Sequence, residues 1–353
     1  MKNVLRGLVV LLIVLLGTHF LRRNPEAITA PREEIWPIMG TVASVRTPAT
    51  ARAAFPEMLQ IAKDTFADVN ATLSVYDPES ELSRLNAHGL LEPVSDLTRE
   101  FLVTTQQMTK RTGGRFDPTL LPVIQLWGFS GGVTPERLPT EAEISQALSR
   151  SGLAHLVIEA ERVHYPERPS HIDSGGIAKG FALDRAYDAI RQAFPDVAFL
   201  LNLGGEIRVQ GKAEPGRSWR IGVQHPLRKG ATIGVISVPS AQAVATSGHY
   251  ERYFVQDGIR YAHIIDPATG WPLTGMAGVT VLCPNATEAD VLSTALFVAG
   301  MQDAKILLQS FPDSHALLIP DREPLEIYLS DGMQEWFEPA PEFRANVRPF
   351  PTR

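Results

Sequence analysis

His171-Ile172-Asp173-Ser174-Gly175-Gly176-Ile177-Ala178-Lys179-Gly180 runs into an amphipathic stretch from Phe181 to Phe194. Three glycines interleaved with an Asp and a Lys mark a tight turn opening into a helix, where free N–H groups and the positive end of the helix dipole can receive phosphate oxygens. The segment matches neither a P-loop nor the dinucleotide fingerprint Gly-x-Gly-x-x-Gly. Taken alone it supports two readings: an anion cradle, or a helix start whose glycines permit close packing.

Working outward, Val197 to Val209 is a continuous apolar strand broken at Gly204-Gly205 and resuming by alternation. Short strands follow at Trp219–Gln224, Thr232–Val238, Ala243–Ser247, Arg252–Val255, Ala262–Asp266 and Gly278–Leu282, with turn residues between them. Upstream, Ile38–Arg46 alternates as a strand, Arg52–Asn70 and Leu97–Arg111 carry one-faced helical patterns, and Leu156–Glu159 pairs with Arg162–Tyr165 as a hairpin. The spacing predicts an α+β fold: a single domain from Ile38 to Phe337, with helices grouped against a mainly antiparallel sheet.

The chain has 353 residues, 44% hydrophobic and 20% charged, with a net charge of −6. That is enough for a sizeable core, and the absence of a basic surplus removes the electrostatic footprint expected of a nucleic-acid binder. Lys2 and Arg6, the uncharged run from Gly7 to Leu21, and Arg22-Arg23 read as an export signal or signal anchor over residues 1–23. The run is shorter than the roughly 20 residues of a comfortable transmembrane helix, so cleaved and retained forms both stay open. Residues 24–37 read as a linker, and the Pro-rich tail from Glu338 to Arg353 as flexible. Cys283 is the only cysteine, so no internal disulfide can form, and its expected role is that of a small buried hydrophobe at a strand end.

Four further stretches carry chemistry. Tyr76, in the turn-rich segment Leu73–Asn86, either stacks on a flat ring or covers a helix end. Behind Gly113-Gly114, Arg115-Phe116-Asp117-Pro118 can hold a heterocycle by face and edge, or simply cap the next helix. His263, on a strand with Asp266 at its exit, is the best general-base candidate because imidazole titrates near neutrality, with a structural histidine as the alternative. Asp290 and Thr294, four apart on a helix from about Ala286 to Gly300, stack two oxygen-bearing side chains that suit a hard divalent ion or a hydrogen bond within a polar stripe.

In order, Met39-Gly40-Thr41, Ser74-Val75-Tyr76, Ser80 through Asn86, Phe116-Asp117-Pro118, Asp173 through Gly180, Asn202-Leu203-Gly204-Gly205, His263 through Gly270 and Ala289 through Gly300 resemble the FAD:protein FMN transferase (ApbE) family, from about Ile38 to Ile319. The resemblance implies a magnesium-dependent enzyme that splits the FAD pyrophosphate, attaches FMN through a phosphoester to a Ser or Thr of a partner protein, and releases AMP. It implies Asp290, Thr294 and the Ala178 carbonyl as Mg2+ ligands. Tyr76, Phe116, Asp117, Met39, Gly175 and Ile265 are implied as flavin contacts, with Arg115, Asp173 and Lys179 completing the cofactor-binding candidates. His263 is implied as the base, with Asp266 beside it.

Acceptors implied by analogy carry an Asp-x-x-Ser/Thr-Gly-Ala-Thr pattern and sit among exported or membrane respiratory subunits of the sodium-pumping quinone reductase (Nqr) and Rnf type, at the periplasmic face of a bacterial inner membrane. Many relatives are lipoproteins with a cysteine after the signal; here none is available, so any anchoring must come from the apolar run. Two rival activities share the same features: an FAD pyrophosphatase that releases FMN and AMP without an acceptor, and a non-catalytic flavin-binding protein.

Overall fold

The computed structural model describes residues 30–130, 137–166 and 170–351; the expected signal segment 1–23 lies outside them. The chain opens with strands β1 (Arg32–Ile38) and β2 (Thr41–Thr47), helices α1 (Phe55–Leu73) and α2 (Glu81–His88), strand β3 (Leu90–Leu91) and helix α3 (Asp96–Arg111). Then come α4 (Leu121–Leu126), α5 (Glu141–Leu148), the short strands β4 (Val157–Ile158) and β5 (Val163–His164), and α6 (Ala178–Ala193). Strands β6 (Phe199–Leu203), β7 (Glu206–Gln210), β8 (Trp219–Gln224), β9 (Thr232–Val238), β10 (Ala243–Gly248), β11 (Tyr253–Gln256), β12 (Ile259–Ala262) and β13 (Met276–Cys283) lead to helix α7 (Ala286–Leu308). Strands β14 (His315–Pro320), β15 (Ile327–Leu329), β16 (Phe337–Pro339) and β17 (Val347–Pro349) complete the fold.

Nine strands form one sheet in the order β1-β2-β6-β7-β10-β13-β14-β15-β17. All neighbours are antiparallel except β15 and β17. The sheet separates two cores by residue parity. Phe199, Leu201, Ala245, Val279, Val281 and Leu318 face the helical side. Leu200, Val244, Leu282, Leu317 and Ile319 face a second layer, the three-stranded sheet β16-β9-β8. Burial on both faces explains why β13 is apolar almost throughout rather than alternating. Cys283 is the buried last residue of β13, its thiol pushed up by burial.

The expected α+β architecture is therefore the observed one, with four local corrections. The segment expected as a linker contains β1, which pairs with β2 along its whole length from Arg32↔Thr47 to Ile38↔Thr41. Its alternate residues Glu34, Trp36 and Ile38 turn inward, Trp36 stacking on Phe66 at 6.0 Å; Pro37 is tolerated because β1 is an edge strand. The tail is ordered to Pro349: β16 pairs with β9 and β17 with β15, so its prolines again occupy sheet margins. The strand expected at Ala262–Asp266 ends at Ala262, and only a bridge from Ile265 to Pro272 continues it. Finally, α7 does not stop at Gly300; its helical geometry breaks there (φ 59°, ψ −168°) and resumes.

Helices α6 and α7 cross at Gly180, where a Cβ would sit 2.3 Å from the Ala286 carbonyl oxygen. This crossing is fastened from both sides. Asp184 of α6 accepts from the Ala286 and Thr287 amides at 2.8 Å each, and Asp290 of α7 accepts from the Gly180 amide at 3.0 Å. Each helix thus supplies the carboxylate that satisfies the other's exposed N–H groups, interactions of about 0.5–2 kcal/mol apiece. Gly180→Ala should lower stability by about 1–3 kcal/mol through overpacking against main chain that cannot move aside; a thermal midpoint equal to wild type would contradict the close crossing.

Candidate active site

Asp290 is brought to the glycine turn by this same crossing. The Lys179 ammonium lies 3.1 Å from the Gly175 carbonyl, 3.2 Å from Glu206 Oε1 and 3.5 Å from Asp290 Oδ1. Glu206 opens β7 directly after the Gly204-Gly205 turn, where both glycines have positive φ and close a two-residue hairpin. Thr294, one turn beyond Asp290, lies 3.3 Å from Ser247 Oγ at the end of β10, and Ser247 also reaches Ser293 Oγ at 2.8 Å. Glu251, just past β10, is close enough for its ionisation to be felt by Lys179 and Glu206.

The electrostatics of this group correct the first reading of the glycine turn. Its amides are largely taken: Gly175 donates to Asp173, Ile177 and Ala178 to the Ser174 carbonyl, and Gly180 to Asp290. Around it stand four carboxyl groups, Asp173, Glu206, Glu251 and Asp290, against the cations Lys179 and Arg252. Burial raises the pKa values of Asp173, Glu206 and Glu251, and Asp290 adds to the rise at the two glutamates. Lys179 is held above its ordinary value despite burial, because Asp290 and Glu206 favour its charge. Such a site attracts a cation before it attracts an anion.

The donor set fits a hard divalent ion. It consists of oxygens only, and Glu206 Oε2 is buried with no hydrogen-bond partner. Among the described residues no group of three His, Cys, Asp or Glu side chains has the geometry of a preformed metal site; hydroxyl and carbonyl oxygens would have to supply the remaining ligands.

His263 follows β12 and is fixed by main chain: its amide donates to the Arg252 carbonyl at 3.0 Å, and its Nδ1 lies 3.3 Å from the same oxygen. A carbonyl only accepts, so Nδ1 carries the proton and Nε2 keeps its lone pair. Burial, with the nearby charges of Arg252 and Lys179, lowers the imidazole pKa to about 4.

A family profile described as ApbE family matches residues 39–319 of this sequence. The chain belongs to the ApbE family. It is 35% identical over 268 residues to an FAD:protein FMN transferase of Vibrio cholerae, covering 75% of this chain and 80% of the relative. An FAD:protein FMN transferase of Haemophilus influenzae is 32% identical over 272 residues, covering 74% and 75% respectively. The crystal structure of the ApbE protein of Thermotoga maritima superposes with a TM-score of 0.75 at 30% identity, over 90% of this chain and 99% of that one. Apo flavinyl transferase ApbE of Pseudomonas stutzeri gives 0.76 at 29% identity, over 87% and 96%.

The ApbE-like motifs divide into those that reach the site and those that support it. Met39 (φ 51°) and Gly40 turn the chain from β1 into β2, so that Thr41 packs where a Gly204 side chain would be, next to Lys179. Phe116 is buried, its ring 3.1 Å from where a Gly176 Cβ would stand, and so forms the floor under the glycine turn. Asn86 clamps the entry to that turn: it donates to the Ile172 carbonyl at 2.9 Å and accepts from the Ile172 amide at 2.8 Å. Ser174 donates to the Leu73 carbonyl at 3.0 Å, which ties the Tyr76 loop to the same turn. Tyr76 itself is 70% exposed, free to meet a ligand and covering no helix end.

Four expected site residues have side chains engaged in contacts within the protein. Asp266 closes its own turn, accepting from Ala268 N at 2.9 Å and Thr269 Oγ1 at 3.0 Å; it makes no hydrogen bond to His263. The Asp117 carboxylate likewise accepts from the Thr119 amide and hydroxyl, at 2.8 and 2.5 Å. Ile265 is buried in a small separate core with Leu120, Val123, Trp127 and Ile144. Arg115 pairs with Asp303 at 2.8 Å, beyond the break in α7 and away from Asp290.

The sequence does not single out Glu206, Ser247 or Glu251, because the first two sit at the ends of strands whose pattern is explained by sheet packing alone and Glu251 lies in the turn between β10 and β11. The His263 environment has a measurable sign. The unfolded chain binds more protons between the ordinary value of 6.5 and about 4. The stability from keeping this imidazole neutral is therefore complete above 6.5 and falls as pH drops toward 4. Its ring-proton NMR resonances should titrate well below those of a fully solvated histidine; a midpoint near 6.5 would contradict the half-buried, neutral ring.

Proposed function

We propose that this chain is an FAD:protein FMN transferase acting on a Ser or Thr hydroxyl of another protein. The observation that carries the reading, beside family membership, is the meeting of an all-oxygen acidic cluster with a neutral histidine whose Nε2 is free to accept a proton. The hydroxyl oxygen attacks the phosphorus on the FMN side of the FAD pyrophosphate as its proton passes to His263 Nε2. The bond to the bridging oxygen breaks and AMP leaves. A hydroxyl is a poor nucleophile until its proton is taken, and a neutral imidazole at working pH can take it.

Asp290, Thr294 and the Ala178 carbonyl would hold Mg2+, which when bound supplies positive charge against the pyrophosphate oxygens. The acidic lining supports this assignment, because without a cation it would repel a pyrophosphate. The chain's own residues do the rest. Phe116 and Asn86 fix the glycine turn, the exposed Tyr76 offers a face for the isoalloxazine ring, and the Arg252 carbonyl orients the His263 tautomer. The acceptor carries an Asp-x-x-Ser/Thr-Gly-Ala-Thr type segment in an exported respiratory subunit, and the apolar N-terminal segment brings the enzyme to that side of the membrane.

Two substitutions separate the roles. Asp290→Ala should abolish divalent-dependent turnover, and His263→Ala should keep FAD binding, followed by quenching of flavin fluorescence, while transfer falls by roughly a hundredfold or more. Native transfer rates in His263→Ala would remove the base.

A further inference from the structure

The Lys179 ammonium stands against Asp290, the carboxylate that a divalent cation would use, and also touches the Gly175 carbonyl and Glu206. It is bound unequally, at 3.2 Å to Glu206 and 3.5 Å to Asp290. Glu206 has a second oxygen, Oε2, that is buried and unpartnered, whereas Asp290 Oδ2 is already committed to the Gly180 amide. Glu206 therefore has an oxygen to spare for the ammonium, whereas Asp290 offers only Oδ1, which the ammonium and a metal ion cannot both hold. A lysine is suited to such a post because its charge sits on a flexible four-carbon stem, and here the Lys179 stem runs beside Gly204, within 3.3 Å of where a side chain would begin.

We propose that Lys179 is the counter-cation of Asp290 when no metal ion is bound, and that a divalent ion displaces its ammonium from Asp290 onto Glu206, which serves as its parking carboxylate. This rests on the magnesium reading of Asp290 given above. The exchange keeps charge nearly balanced at every stage: without the ion, Lys179 holds Asp290 and Glu206 together, and with it, Lys179 neutralises Glu206 while the ion neutralises Asp290. It also means that cation binding works against an internal competitor. The weight of that competition is set by Glu206, a residue that need not touch the ion.

Simple through-space electrostatics also predicts tighter metal binding when a lysine is removed, so the coupling between the two residues is the decisive readout. Isothermal titration of Mg2+ into the FAD-free protein would be run on wild type, Lys179→Met, Glu206→Gln and the double variant, with circular dichroism confirming the fold. Lys179→Met should bind Mg2+ roughly tenfold or more tighter and Glu206→Gln several-fold weaker. In the Lys179→Met background, Glu206→Gln should lose most of its effect, because no ammonium is left to park. Additive effects of the two substitutions, or equal affinity of wild type and Lys179→Met, would overturn the displacement while leaving the metal site standing. Failure of both to bind Mg2+ would remove the metal reading and the displacement with it. If the variants fail to fold, the wild type decides: a crystal structure with Mg2+ in which Lys179 still contacts Asp290 overturns the proposal, and one in which it contacts Glu206 alone supports it.

Discussion

Two carboxylates, each capping a helix other than its own, hold this molecule's centre together. Asp184 leaves α6 to satisfy the first amides of α7, and Asp290 leaves α7 to satisfy the third residue of α6. The arrangement requires the two helix starts to cross without a side chain between them, which is why Gly180 stands against the Ala286 carbonyl. Because neither helix has a complete N-terminal cap without the other, the crossing is set by hydrogen bonds as well as by apolar packing. Its consequence for function is positional. The same bond that caps α6 carries the Asp290 carboxylate to the glycine turn, so that a structural device and a candidate site residue are one side chain.

The polar centre then follows from where strands end. The Gly204-Gly205 hairpin delivers Glu206, the end of β10 delivers Ser247, the turn after it Glu251, and the segment after β12 delivers His263. Main chain rather than side-chain partners holds the histidine, through one carbonyl that binds both its amide and its Nδ1. Gathering four carboxyl groups, two of them buried, around one lysine is costly in isolation, and the raised pKa values of Asp173, Glu206 and Glu251 express that cost. A cation and a pyrophosphate entering together would relieve it, since each compensates the charge that excludes the other.

The fold was legible where the sequence pattern has one meaning. Apolar runs, alternation and turn residues marked β6, β7, β8, β9 and β13 closely, and the start of α7 was legible at about Ala286, where the Asn285 side chain caps it. It was less legible at the margins: the prolines of β1 and of the C-terminal strands suggest disorder, yet edge positions accept them because no ladder bond is lost there. At the site, the stacked pair Asp290 and Thr294 could be read from helical spacing, and His263 from its polar company. Asp184 could not, because an acidic residue on an amphipathic helix looks the same whether it faces water or another helix's amides. Nor could the inward acids be seen. The glycine turn alone admits an anion cradle as readily as a close-packed helix start, and only the meeting of Glu206, Glu251 and Asp290 in space gives the site its acidic lining.

Mass spectrometry on the purified chain, incubated with FAD, Mg2+ and an acceptor domain bearing the Asp-x-x-Ser/Thr-Gly-Ala-Thr segment, tests the central claim most directly. The account predicts an FMN-sized mass gain on the acceptor Ser or Thr, one AMP released per modified acceptor, and loss of both when the divalent ion is chelated. Free FMN and AMP beside an unmodified acceptor would contradict it in favour of a pyrophosphatase, and intact FAD would contradict catalysis altogether.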